Sequence, residues 1–458
     1  MPAMRFATPS ARCCIRGRTW LLAWLVGGAI ASATYAQTAF DAAERVSQQD
    51  AGIRAVREAP DGSAANAPDL VAAERADPVA AGERQLKSNI SEYGARSLQA
   101  AEAHLDLANA QREAKEFDKA AESYLAAVEA YRSVDGPFTP LAIGPLTSLG
   151  DNYHEANDET NAVASYSEAR TVSRRAYGLH NTQQVELLDR MSRSLLDLNQ
   201  LSEAEAQQVE ALRLVQRAYP PGSDEVLEGI YKYAEWLGDR LFFQLQRDQY
   251  ARALRMIRQA HGEDDVRQVK PLLGIGNTYR EERNPASMGI SALEEALNLL
   301  LEEPASERDP VATAMALRDI GDWAVAFGKT GYSGTEYQRA WQMLGSAPNA
   351  DELRRQWFTG ANYVLYEPIS PRGLSTDPDA LSGHVTVSFD IDTAGNTDNV
   401  MLVDSDPAGL KDEAVLRHIR RSRFRPVLEN GAVIVGKTLA IQVKFRYLPE
   451  TAAGDNAK

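Results

Sequence analysis

The stretch Gly431-Ala432-Val433-Ile434-Val435-Gly436-Lys437-Thr438 has the spacing G-x-x-x-x-G-K-T, in which backbone N–H groups and a lysine cradle phosphates. That chemistry needs a strand before the loop and a helix after it, the helix N-terminus facing the phosphates. Here the Val-Ile-Val centre is stiff and β-branched, an alternating strand pattern follows, and only 20 residues remain to supply a magnesium-binding acid. The segment therefore reads as the approach to a strand. Just upstream, Arg417, Arg420, Arg421, Arg423 and Arg425 place five arginines within nine residues. They are either a solvated helix end favoured by the helix dipole or a basic patch for an acidic peptide or an anionic headgroup. The six histidines, at 104, 154, 180, 261, 384 and 418, show no ligand spacing, so no metal site is expected. No G-x-S-x-G, catalytic cysteine or isolated carboxylate pair is present, and the chain is expected to be non-enzymatic, without a cofactor or an evident small-molecule substrate.

At 458 residues the chain has room for two or three domains, with an ordinary 44% hydrophobic and 25% charged content. Its formal charge is -15; the first 36 residues hold four arginines and no acid, so subtracting them leaves -19 on the rest. So acidic a chain argues against nucleic-acid binding, which needs a basic surface. Arg12, Arg16 and Arg18 followed by the apolar run from Trp20 to Val26 and by Ala31-Ser32-Ala33 and Thr34-Tyr35-Ala36 read as a secretory signal over 1–36. An uncut anchor is the alternative, since Thr19 to Ala36 is at the short limit for a span. The only cysteines, Cys13 and Cys14, precede the apolar core, so a cleaved chain has no disulfide. Residues 37–95 are alanine-rich and broken by Pro60 and Pro68, and are expected to be a flexible spacer with short helical pieces.

A repeat occupies residues 96–358. Ala108, Gly150, Ser192, Ala234 and Gly276 recur every 42 residues, with Gly321 45 further on. Twelve, sixteen and nineteen residues after the first two come Ala120 and Ala162, Tyr124 and Tyr166, Ala127 and Ala169. Later repeats keep Ala204 and Ala211, Tyr250 and Ala253, and Tyr337 and Ala340, while repeat five fits with a one-residue slip through Gly289, Leu293 and Ala296. Breakers return in register at Gly136, Gly178, Pro220, Gly262 and Pro304. A small residue on one helix lets the next approach, an aromatic four residues after an alanine fills the gap, and stacked pairs bury a common core. Leu149-Gly150-x-x-Tyr153, with Ala162, Tyr166 and Ala169, resembles the tetratricopeptide repeat, and the 42-residue spacing resembles the longer repeats of kinesin light chains. Gln208 stands where an aromatic is expected and Gln246 where a small residue is expected. The resemblance implies a superhelix whose groove binds peptides or proteins. Residues 351–358 read as a closing helix.

Residues 359–450 form the last domain, before a short disordered tail at 451–458. Val385, Val387, Phe389 and Ile391 alternate with His384, Thr386, Ser388 and Asp390, the period of a half-buried strand. Asp392-Thr393-Ala394-Gly395 is a turn, Asn399–Val403 a hairpin partner, and Ser405-Asp406-Pro407 the opening of a helix to Ser422 with Val415 and Ile419 inward. The closing strand sets Leu439, Ile441, Val443, Phe445 and Tyr447 on the core face. The fold class is thus multidomain: an all-α superhelix followed by a small α+β domain of order ββαβ. The run Gly383-x-Val385-x-Val387-x-Phe389-x-Ile391-Asp392-x-x-Gly395, with Asn399-Val400, Arg423-Phe424-Arg425-Pro426, Gly431 and Phe445-Arg446-Tyr447, resembles the C-terminal domain of TonB-type energy transducers. The resemblance implies contact with outer-membrane transporters by strand addition to a sheet edge, with the last strand as the edge. The partner-contacting residues expected are Leu439, Gln442, Lys444 and Arg446 on that strand and Arg420 and Arg421 on the arginine-rich helix end. Two functions follow: an exported periplasmic binding protein with protein or peptide partners, or an inner-membrane-anchored transducer if residues 1–36 are retained.

Overall fold

A computed structural model describes residues 77–328, 333–370, 374–375 and 380–449. The expected signal at 1–36, most of the spacer and the tail at 451–458 lie outside the described residues. The array begins earlier than the sequence suggests. Helix α1, Pro78–Tyr93, falls inside the expected spacer, started by proline in its first turn and by Asp77, whose carboxylate accepts the Val79 N–H at 3.0 Å. It lies against α2, where Gly82 leaves room for Leu107.

Six helix hairpins follow. They are α2 (Leu98–Glu113) with α3 (Phe117–Asp135), α4 (Ile143–Glu155) with α5 (Glu159–Tyr177), and α6 (Gln184–Asp197) with α7 (Leu201–Ala218). Then come α8 (Asp224–Gly238) with α9 (Phe243–His261), α10 (Val269–Glu281) with α11 (Ser287–Glu302), and α12 (Pro310–Phe327) with α13 (Ser333–Met343). The reference positions explain the packing. A Cβ on Gly150 would lie 2.3 Å from the Tyr166 ring, and one on Gly321 2.5 Å from Tyr337. In repeat five Leu293 takes the tyrosine's place against Gly276, with 2.4 Å to a built Cβ. Repeat four exchanges sizes across the pair: the large Gln246 is accommodated because Gly238 faces it. Repeat three has no aromatic, and Gln208 borders a cavity of about 20 Å³ with Asp189, Lys232 and Tyr233, room for one water.

The turn inside every hairpin carries one left-handed residue, seven after each reference position. Lys115, Asn157, Asn199, Leu241 and Arg283 have φ of 58 to 61°, and Gly328 completes the set at 76°. The inter-repeat loops open with Gly136, Gly178 and Gly262 at φ 92 to 102°, where nothing lies within 4 Å of an added Cβ. Those glycines are needed for conformation and not for space.

Helix α14, Ala350–Phe358, closes the array with Leu353, Trp357 and Phe358 buried. The C-terminal domain follows: β1 (Tyr363–Leu365), β2 (Leu381–Ile391), β3 (Thr397–Asp406), α15 (Asp412–Arg421), β4 (Arg423–Phe424), β5 (Leu428–Glu429), β6 (Ala432–Val433) and β7 (Thr438–Tyr447). The main sheet has the order β3-β2-β7, antiparallel throughout. Val385, Val387, Phe389, Ile391, Val415, Ile419, Phe424 and Ile441 form its core. The helix starts later than expected. Ser405 and Asp406 remain in β3, paired with Val385 and His384, and α15 begins at Asp412. Sheet pairing here outweighs the capping preference of Ser-Asp-Pro. No helix among the described residues is long and apolar enough to cross a membrane.

Candidate partner-binding site

Among the described residues β7 is paired on one side only, by β2, in a ladder running from Asp390↔Thr438 to Leu381↔Tyr447. Near its end the chain preceding β2 comes across, and Ser375 donates its N–H to the Arg446 carbonyl at 2.9 Å. Among the described residues the free edge is therefore the stretch 438–445. It is mounted on a buried centre: Ile441 is enclosed, while Leu439, Val443 and Phe445 are half-buried against the domain core.

The structure divides the sequence-predicted residues into separate groups. Leu439 faces the core and its backbone lies in the ladder opposite Phe389 of β2, so it offers no group to the edge. Gln442, Lys444 and Arg446 share the outer face; Gln442 Nε2 lies 3.4 Å from Thr386 Oγ1, Lys444 is exposed, and Arg446 donates to the Ala380 carbonyl at 3.2 Å. Arg420 and Arg421 stand apart at the end of α15, both exposed, with Arg421 3.6 Å from Glu367. The five arginines are not one basic patch. Arg425 is 8% exposed in its side chain and leaves the cluster altogether, turning into the repeat array. Lys437, the lysine of the phosphate-loop spacing, donates to Glu429 at 2.6 Å, between β6 and β7 and not at a helix N-terminus.

Arg425 carries the seam between the two parts. Its Nε and Nη2 donate to the two carboxylate oxygens of Asp322 on α12 at 2.9 and 2.8 Å, and its Nη1 donates to the Trp357 carbonyl at 2.8 Å. Tyr337 donates its hydroxyl to the same carboxylate at 2.8 Å. Burial alone would push Asp322 up, but the Arg425 charge and hydrogen bonds, with Arg280 and Arg318 nearby, hold it below the usual carboxylate range. Burial pulls Arg425 down and Asp322 more than reverses it, so the guanidinium stays charged. Burial and the Asp322 charge raise Tyr337 well above the usual phenol, keeping it a donor.

Further ties surround this pair. Leu428 and Val364 belong to the hydrophobic core of the last repeats. Arg280 donates to the Val364 carbonyl at 2.6 Å, and Arg283 to the Tyr366 carbonyl at 2.8 Å and to Glu367. Gly395, in the β2–β3 turn at φ 79°, sits where a Cβ would lie 2.4 Å from the Phe424 carbonyl and 2.5 Å from Val325 of α12. On the far side of the segment 363–370, His418 is buried, with Nδ1 donating to the Glu367 carbonyl and Nε2 accepting from the Tyr363 hydroxyl at 2.8 Å. Burial pulls His418 down, against the Glu367 contacts that raise it.

The array also joins residues that sequence spacing kept apart. His154 Nδ1 lies 2.9 and 3.0 Å from the two Glu159 oxygens and 3.8 Å from Asp197. These three offer one nitrogen and two carboxylate groups within 4.8 Å, the donor types of a divalent-metal site, but His154 and Glu159 already satisfy each other.

Residues 379–447 match the family described as Gram-negative bacterial TonB protein C-terminal. No curated protein matches the chain. Solved structures similar to it include BtubC (BKLC) from P. vanneervenii, at 15% identity over 66% of this chain and 97% of that one, TM-score 0.29. A putative kinesin light chain of Podosopora anserina with nearly identical TPR-like repeats has 9% identity over 46% of this chain and 98% of that one, TM-score 0.35. The C-terminal part of a TPR repeat-containing protein from Cytophaga hutchinsonii has 8% identity over 60% of this chain and 98% of that one, TM-score 0.36. The architecture is a tetratricopeptide-like superhelix ending in a TonB C-terminal-type domain, a combination suited to protein interaction.

Proposed function

We propose that the chain is a non-enzymatic scaffold of the bacterial envelope whose β7 edge accepts an extended strand from a protein partner. The repeats hold a second protein. The observation that carries this reading is the one-sided pairing of β7 over 438–445 in a domain locked to the array through Arg425. Strand addition takes its affinity from main-chain hydrogen bonds, so it needs an unpaired edge and a base that does not yield. The family match supports the same reading and favours an outer-membrane transport protein as the partner. It equally favours an anchored transducer, which a mature N-terminus retaining residues 1–36 would establish.

The test uses the full chain as bait in a detergent extract of Gram-negative envelope. Lys444→Pro removes an outward-pointing donor on the β7 edge, the side on which Arg446 turns its carbonyl to Ser375, and Val403→Pro places a proline on the opposite edge, β3. Circular dichroism checks that both variants keep the fold. Capture lost with the first and kept with the second supports the reading. Equal capture by both folded variants overturns strand addition at β7.

A further inference from the structure

Three residues where the second repeat meets the third converge without serving the seam or the β7 edge. His154 lies in the last turn of α4, Glu159 is the first residue of α5, and Asp197 is the last of α6. His154 Nδ1 is 2.9 and 3.0 Å from the two Glu159 oxygens and 3.8 Å from an Asp197 oxygen. The Glu159 side chain keeps only 10% of its surface, that of Asp197 52%. Two carboxylates thus face one imidazole, and among the described residues no lysine or arginine forms a salt bridge with either of them.

The other repeats provide a comparison within the chain. Four residues after the reference position, repeats one and five have Arg112 and Arg280, and the second has His154. Nine after it, repeats one, three and four have Phe117, Leu201 and Phe243, and the second has Glu159. A metal-ligating ring has replaced a fixed cation and a carboxylate has replaced an apolar group, in the same repeat and in contact with each other. A second sign lies beside them. Ser194, one turn before Asp197 on the same side of α6, is 1% exposed, and its hydroxyl has no hydrogen-bond partner among the described residues. In the preceding repeat the equivalent Asn152 reaches the carbonyl of Phe117, the position that Glu159 fills here, at 3.0 Å. The same register aims Ser194 at the Glu159 end of the cluster.

We propose that His154, Glu159 and Asp197 bind one divalent transition ion of the zinc type, which clips α4, α5 and α6 together. An imidazole with two carboxylates suits such an ion better than magnesium or calcium, which take oxygen ligands. Ligands about 2.1 Å from a common ion lie at most about 4.2 Å apart, and both carboxylates are already within that reach of Nδ1. The hydrogen bond between His154 and Glu159 is what the ion replaces: it takes the place of the Nδ1 proton, which moves to Nε2 of the neutral ring. The remaining position is left to a water, and Ser194 Oγ is the group that holds it.

The experiment is equilibrium dialysis of the untagged full chain against zinc, with magnesium as the contrasting ion, and amide hydrogen exchange with and without each metal. His154→Gln and Asp197→Asn, neither of them fully buried, alter the cluster. His180→Gln, at an exposed histidine on another loop, checks for adventitious zinc. Thermal melts without metal establish that all three variants keep the fold. The proposal expects one zinc per chain, bound at least about tenfold more weakly by either cluster variant and equally well by His180→Gln. It expects zinc to slow exchange at the ends of α4 and α6, and magnesium neither to bind nor to slow exchange. Equal zinc binding by His154→Gln and the unaltered chain overturns it, as does an equal loss in His180→Gln, or no binding at all. Zinc bound without slower exchange overturns the clip.

Discussion

The second repeat and the last one use the same three groups in different surroundings. In the second, Tyr166 donates to Asp151 at 2.7 Å, and Arg190 from the next repeat's first helix meets the same carboxylate. In the last, Tyr337 donates to Asp322, and the arginine is Arg425 from the C-terminal domain. The C-terminal domain thus supplies the cation that a seventh repeat would have supplied. Exposure separates the two: Arg190 and Asp151 keep 25% and 24% of their side-chain surface, Arg425 and Asp322 only 8% and 3%. An ion pair that water can still reach is dispensable, whereas a buried one leaves a bare charge when broken. The seam is therefore the costlier place to lose a partner, and the TonB-type domain acts as the structural cap of the superhelix.

The largest expected effect tests that contrast directly. Arg425→Ala should destabilise the last repeats and the C-terminal domain by about 3–5 kcal/mol, since it strands Asp322 in a dry site. Asp151→Ala in the second repeat should cost about 1 kcal/mol. Chemical denaturation of each variant measures both, and equal costs would erase the distinction. The next effect should not distinguish the sites. Gly150→Ala and Gly321→Ala each drive a Cβ into a tyrosine ring, and each should cost about 1–3 kcal/mol. Unequal costs would show that one repeat yields more easily than the other.

A pH effect should mark the C-terminal side of the seam. His418 is held neutral, with its folded-state value below the usual 6.5. The unfolded chain then binds the proton first, so stability falls as pH drops below 6.5 toward the lowered value. Melts at pH 7.5 and 5.0 should show this loss in the unaltered chain and less of it in His418→Gln. An equal loss in both would remove His418 from the account. The smallest effect lies away from the seam. Leu241 holds φ 61° and is 71% exposed, so Leu241→Gly should raise stability by about 1 kcal/mol by releasing backbone strain. No gain would mean that its neighbours hold the turn without strain.

These features were unequally legible in the sequence. The hairpins were readable because small residues and tyrosines recur with a fixed spacing, and the sheet because Val385 to Ile391 alternates so cleanly. The left-handed turn was readable only at Asn157, Asn199 and Gly328; Lys115, Leu241 and Arg283 adopt the same conformation because the stacked helices impose it. The start of α15 was misplaced because Ser405-Asp406-Pro407 looks like a cap, while pairing with β2 keeps those first two residues extended. Arg425 lay in a run of arginines that suggested a surface, and its partner is 103 residues away. No local pattern reports so distant a pairing. A signal was nevertheless present: aspartate follows the reference glycine at both Gly150 and Gly321, and the last of these has no further repeat to supply its arginine.

A double-mutant cycle tests the cap most directly. Asp322→Asn, Arg425→Gln and the double variant are unfolded in urea, with the corresponding cycle at Asp151 and Arg190 as the reference. The account predicts a coupling of about 2–3 kcal/mol or more at the seam, with the C-terminal sheet and the last repeats unfolding together. It predicts a coupling of under about 1 kcal/mol in the second repeat. Additive effects at Asp322 and Arg425, with the sheet unfolding independently of the repeats, would contradict it.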